Sequence, residues 1–124
     1  MPPPTMSKKL YRLSADSRVL ADQVEVADRF WQRAVGLMGR RNLPPGHALL
    51  ITPCSAVHTF FMRFPLDLVF IDRNFRVARI IREVRPARLC SGGRQAYAVL
   101  EAQPGWLPEN ALPIGTPLKL ERAE

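Results

Sequence analysis

Between Cys54 and Asp72 the chain reads C-S-A-V-H-T-F-F-M-R-F-P-L-D-L-V-F-I-D. A thiol, an imidazole, a thioether and two carboxylates stand there among large apolar residues. His58 offers acid–base chemistry, because an imidazole titrates near neutrality. Asp67 offers a carboxylate inside an apolar run, Leu66–Ile71. A buried carboxylate without a partner is very costly, so Asp67 must be paired, bonded to backbone N–H groups, or set in a cleft. His58 and Asp67 are therefore the candidate catalytic pair, and a structural role for each is the plain alternative. Glu101, following Val99 and Leu100, is a second inward-pointing carboxylate on the same logic.

Cys54, His58 and Met62 recur every four residues. On a helix they would stack soft ligands on one face, a set suited to copper. The aromatic alternation through Val57–Met62 argues for a strand, where four residues span about 13 Å at roughly 3.3 Å each. Metal–ligand bonds of about 2.0–2.3 Å cannot bridge that separation. No metal site is expected, and Met62 reads as core. Cys54 and Cys90 are the two cysteines. They are expected as reduced thiols, and extended geometry separates Cys54 from His58 too far for a nucleophile–base pair.

Arg73, Arg76, Arg79, Arg82, Arg85 and Arg88 recur every third residue, and Arg94 follows. Glu83 is the one acidic residue from 73 to 94. A strand with period two scatters such a series over both faces, so no single basic stripe forms on a straight strand. A bulge, or the loop after Val84, could realign some of the arginines. Aromatic residues are not interleaved with them apart from Phe75, which weighs against nucleic acid. Ser91-Gly92-Gly93-Arg94 could cradle an anion through backbone N–H groups. No phosphate loop, dinucleotide fingerprint, nucleophile elbow or paired CxxC occurs, so no cofactor is expected.

The elements that must position these groups are short. Twelve prolines in 124 residues disfavour long helices and central strands of great length. Strands are expected at 18–27, 48–52, 57–62, 66–72, 76–84, 96–102 and 117–121. One short helix is expected at 28–38, where Phe30, Ala34 and Met38 recur on one face before Gly39. Residues 85–95 read as loop, and 105–112 as a proline-punctuated connection with at most one helical turn. Residues 1–17 read as a flexible segment and 18–124 as a single β-rich domain. Apolar residues make up 47% of the chain, so a packed core is available. The fold class is mainly β, α+β at most: a sandwich or partly closed barrel.

The formal net charge is +7, from 18 basic and 11 acidic residues. Such a balance suits an anionic partner or a solubilising surface. The longest apolar run, Ala96–Leu100, is far too short to span a bilayer. With no signal-like apolar segment behind Lys8 and Lys9, a cytoplasmic location is expected.

Four stretches carry a family resemblance. They are R-A-V-G-L-M-G-R-R-N-L at Arg33–Leu43, H-T-F-F-M at His58–Met62, P-L-D-L-V-F-I-D at Pro65–Asp72, and A-V-L-E at Ala98–Glu101 with Gly105 and Ile114-Gly115 behind it. Together they resemble the domain-of-unknown-function 192 family, an uncharacterised prokaryotic group, in a short-loop branch. Arg63 and Phe64 stand where the family often has a longer insert, and Phe75 where its hairpin turn usually has glycine. Phenylalanine resists positive φ, so Asn74 is expected to take the left-handed position. The resemblance implies a jelly-roll-like β domain and implies no reaction.

The reading that follows is a small non-catalytic domain that binds a ligand or a protein partner. Its surface would centre on His58, Phe60, Arg63 and Asp67, with Glu101 and Arg94 as further contact residues. The alternatives are an enzyme using a His58/Asp67 acid–base pair, and a module binding anions or nucleic acid through residues 73–94.

Overall fold

The computed structural model describes residues 10–28, 42–59, 62–106 and 112–123. Among them are nine strands: β1 Tyr11–Ala15, β2 Arg18–Ala27, β3 His47–Ile51, β4 Ala56–His58, β5 Leu66–Ile71, β6 Val77–Val84, β7 Leu89–Ser91, β8 Ala98–Ala102 and β9 Lys119–Arg122. Seven form one sheet in the order β6-β5-β8-β3-β2-β1-β9, and β4 pairs with β7 in a separate ribbon. All pairings are antiparallel except β2 with β3.

The three neighbouring strands β5, β8 and β3 are buried on both faces and, apart from His47, Asp67 and Glu101, apolar on both. Ala48, Leu50, Val69, Ile71, Leu100 and Ala102 point into one cluster, completed by Leu13, Val24, Val77 and Leu118. Leu49, Ile51, Leu66, Leu68, Phe70 and Val99 point into the other, with Met62 and Val84. Val57 and Cys90 of the ribbon pack on this second cluster. The result is a sandwich-like β fold in which a small ribbon covers part of a large sheet. The large sheet is not closed into a barrel. Its two edges meet at one place, where Arg76 bridges Pro117 and Val77 exchanges hydrogen bonds with Gly115 and Thr116.

Tight turns explain much of this economy. Asp16 and Ser17 both have positive φ, the geometry of a two-residue hairpin turn that matches strand twist. At the β5–β6 turn Asp72 Oδ1 accepts from the amides of Asn74 and Arg76, both at 2.9 Å. The left-handed residue there is Phe75, with φ 59°, and not Asn74. Its ring packs partly buried on the first cluster, and its carbonyl accepts from Leu118 N at 2.9 Å. Packing and a cross-sheet bond thus hold a residue that local preference disfavours.

Three sequence expectations need correction. Tyr11–Ala15, expected within a flexible segment, is a strand, because β2 and β9 flank it and bond to it on both sides. Residues 85–95 are not all loop, since Leu89–Ser91 is β7. The strand expected over Val57–Met62 stops at His58, and Met62 N donates to Thr59 O. His58 and Met62 therefore do not share a strand face. Phe60, the helix expected at 28–38 beyond Asp28, and residues 107–111 of the connection lie outside the described residues. No helix among the described residues is long and apolar enough to cross a membrane.

Candidate functional site

Asp67 sits on β5 with 1% of its surface exposed, on the side of the sheet that Val69 and Ile71 face. Its Oδ1 accepts from Glu83 N at 2.8 Å and its Oδ2 from Gly105 N at 3.1 Å. Both oxygens thus bond backbone. The first bond falls at a bulge in β6, where Leu66 pairs with Val84 but Leu68 pairs with Ile81. Glu83 carries φ 53° there. The carboxylate fixes a bulge residue in a conformation that non-glycine residues rarely adopt.

His58 is exposed at the end of β4, opposite Leu89 of β7. The ribbon covers the Phe70 side of the sheet through Val57 and Cys90, whereas Asp67 faces the other side. The two groups suggested as an acid–base pair therefore stand on opposite sides of the seven-stranded sheet. Glu101 is buried on β8 between Leu49 and Leu68 in register, on the side opposite Asp67. Arg63 lies exposed in a bend and Arg94 in an exposed turn. These candidates do not converge on one point.

A residue that pattern reasoning passed over is more informative. Thr59, 1% exposed, follows β4. Its hydroxyl donates to Arg85 O at 2.7 Å and accepts from Arg88 N at 2.8 Å. Its backbone donates to Arg88 O at 2.8 Å and accepts from Ala87 N at 2.9 Å. Ala87 also has positive φ, 64°. Thr59 and Asp67, from two separate elements, thus shape the stretch from Glu83 to Arg88. The available signal was a hydroxyl inside an otherwise aromatic segment, which a buried position must satisfy.

That stretch forms a depression of about 400 Å³ lined by Ile81, Arg82, Glu83, Val84, Arg85, Arg88, Leu89 and Cys90. A second depression of about 380 Å³, mostly apolar, lies against Ala56, Val57, His58, Leu89, Cys90 and Ser91. The two share Leu89 and Cys90 and adjoin along β7. Leu89 is 77% exposed, the most exposed large apolar residue described. Burial raises the Cys90 thiol above its ordinary pKa of 9.0, and the nearby Arg79 guanidinium partly opposes that shift. The other arginines of the series are spread elsewhere. Arg73 stacks over the Tyr97 ring at 4.6 Å, Arg76 donates to Gly115 O at 3.3 Å, and Arg79 donates to Ser91 O at 2.7 Å. The bulge at Glu83 and the loop after Val84 realign only Arg82, Arg85 and Arg88.

Comparison with known proteins agrees with the fold. A solved structure from Novosphingobium aromaticivorans, a protein of unknown function, superposes with a TM-score of 0.76 at 21% identity, over 88% of this chain and 82% of that one. A Sinorhizobium meliloti 1021 structure, provisionally described as a transcription regulator, gives 0.79 at 26% identity over 94% of this chain and 96% of that one. A UPF0127 protein of Pyrococcus horikoshii is 34% identical over 89 residues, 67% of this chain and 74% of that protein. Its Pyrococcus abyssi counterpart is 36% identical over 89 residues, 67% of this chain and 73% of that protein. The model of the family DUF192, described as Uncharacterized ACR, matches residues 11–120. With β1 to β8, the Asp67-bearing hairpin and Thr59 all inside that span, the chain belongs to the DUF192 family.

Proposed function

We propose that this chain is a binding module for an anion that carries an apolar body. One observation supports the reading above others: the arginine-lined depression and the apolar depression adjoin at Leu89 and Cys90. An apolar pocket with a few convergent polar groups is the usual form of a ligand site. The module acts without catalysis, because His58 and Asp67 stand on opposite sides of the sheet and Asp67 spends both oxygens on backbone amides. A cytoplasmic setting, in which Cys54 and Cys90 would stay reduced, belongs to this reading.

The test uses anilinonaphthalene sulfonate, an aromatic body bearing one anionic group. Titrated into the folded protein, it is expected to move the amide resonances of Ala56–His58 and Leu89–Ser91 together. Leu89→Asp should abolish those shifts while leaving the rest of the amide spectrum in place. Shifts confined to other parts of the sheet would refute the site.

The description of the Sinorhizobium protein favours a second reading, a role in transcription. The arginine depression would then meet nucleic-acid phosphates. That reading requires affinity for duplex DNA to fall log-linearly with salt, with a slope of about 0.9 per phosphate contacted.

A further inference from the structure

Three arginines and Glu83 line the depression at 82–88, a local formal charge of 3 − 1 = +2. Holding the Arg85 and Arg88 guanidinium groups in one concavity is unfavourable unless a counter-charge enters. The fold nonetheless holds this segment in place with two almost fully buried side chains. Asp67 pins Glu83 N, and the Thr59 hydroxyl pins Arg85 O and Arg88 N. The segment between them carries two non-glycine residues with positive φ, Glu83 at 53° and Ala87 at 64°. Each such residue is locally disfavoured, and such strain gathers at ligand clamps and active sites. Among the described residues the Arg85 side chain makes no hydrogen bond or ion pair, and Arg88 makes one long bond, 3.4 Å to the neighbouring Ala87 O. Neither guanidinium has a carboxylate partner among the described residues.

The charge and the donor set decide the class of anion. A carboxylate has two oxygens and one charge, which a single guanidinium fork satisfies. The two forks of Arg85 and Arg88 in one concavity suit a group with three terminal oxygens and two charges. From this arrangement we propose that the Arg82/Arg85/Arg88 depression binds a phosphate monoester dianion, whose organic part lies on the apolar side at Leu89 and His58. The proposal rests on the anion-binding reading above and names its ligand class.

Calorimetric titration of the full chain with glycerol 3-phosphate, inorganic phosphate and acetate tests it, alongside flotation with phosphatidylcholine vesicles containing phosphatidic acid. Glycerol 3-phosphate should bind at least tenfold more tightly than acetate and perturb amides at 82–91. Arg85→Gln with Arg88→Gln should lower that affinity at least tenfold while the amide spectrum elsewhere is unchanged. Thr59→Ser, which keeps the hydroxyl, should bind normally, whereas Thr59→Val should weaken binding with the arginines intact. Tighter binding to the vesicles identifies a lipid headgroup as the source, and tighter binding to the soluble ester a small metabolite; both uphold the chemistry. Acetate binding as well as phosphate, with the sulfonate dye still at Leu89, overturns the phosphate class and leaves the anion-binding module standing. Silence from every phosphate and from the dye overturns both. Tight binding by duplex DNA alone overturns the monoester.

Discussion

Replacing Asp67 with asparagine changes one oxygen to an NH2 group and removes the charge, with almost no change of volume. In the native protein each carboxylate oxygen accepts one backbone N–H, from Glu83 at 2.8 Å and from Gly105 at 3.1 Å. Asparagine has one acceptor. If it serves Glu83, its NH2 group faces the Gly105 N–H, and two donors oppose each other. Hydrogen bonds to charged groups contribute about 1.5–3 kcal/mol and neutral ones about 0.5–1.5. Losing one charged bond and weakening the other should cost about 2–4 kcal/mol. With a urea m-value of about 1–3 kcal/mol/M, the unfolding midpoint should fall by about 1–2 M. Amide hydrogen exchange should accelerate at Glu83 or Gly105 before it does so elsewhere. Glu83→Ala supplies the control: it keeps the amide that Asp67 bonds, so it should cost less than about 1 kcal/mol. A loss below about 0.5 kcal/mol for Asp67→Asn would refute the claim that this carboxylate serves backbone.

Other outcomes follow from the packing and the turns. Phe70, fully buried, should cost about 3–5 kcal/mol on replacement by alanine, and a change below about 1 kcal/mol would contradict the facing of β5. A Cβ at Gly92 would sit 2.4 Å from Phe70 ring atoms and 2.5 Å from Ala96 Cβ; Gly92→Ala should therefore destabilise by about 1–3 kcal/mol or more, and Phe70→Leu in the same chain should recover part of that loss. Ala87→Gly should hold or raise stability, by up to about 1 kcal/mol, because φ at 64° suits glycine; a loss of 1 kcal/mol in urea unfolding would show an ordinary backbone there. The Cys90 pKa is raised in the folded state, so the thiol's contribution is fully present below pH 9.0 and is lost as pH rises through the higher folded value. Urea midpoints should thus fall from pH 8 to pH 10 more in the native protein than in Cys90→Ala, and Arg79→Gln should slow alkylation of Cys90 by iodoacetamide at pH 8.

Much of the fold was legible because the central strands are apolar on both faces. The strands read at 66–72 and 96–102 are found at Leu66–Ile71 and Ala98–Ala102. β1 was missed although Tyr11, Leu13 and Ala15 alternate, because its stability comes from β2 and β9, far apart in sequence. β7 is three residues long, too short for any period to register. The aromatic alternation after Val57 misled, since the strand ends at His58 and Thr59 bonds Arg85, Ala87 and Arg88 instead. The site was less legible than the fold. For Asp67, backbone N–H groups were one of the partners that its apolar run left open, and they are the partners found. Thr59 was passed over, because its partners are backbone amides and carbonyls, which side-chain patterns do not reveal.

The arginine series shows the same point from the other direction. A spacing of three on a period-two strand alternates faces, and the first three members do disperse, to the Tyr97 ring, Gly115 and Ser91. The next three converge because one extra residue at the Glu83 bulge shifts the phase of β6 and the loop after Val84 turns back under Thr59. Both devices depend on polar residues of the signature segments, Thr59 in H-T-F-F-M and Asp67 in P-L-D-L-V-F-I-D. Those segments therefore act as architecture. They hold a backbone shape at 83–88, and on the proposed reading the side chains carried on that shape supply the recognition. On this logic a chain that kept Thr59 and Asp67 but replaced Arg85 and Arg88 would keep the fold and change its ligand. One that lost Thr59 or Asp67 would lose the shape on which any ligand set depends.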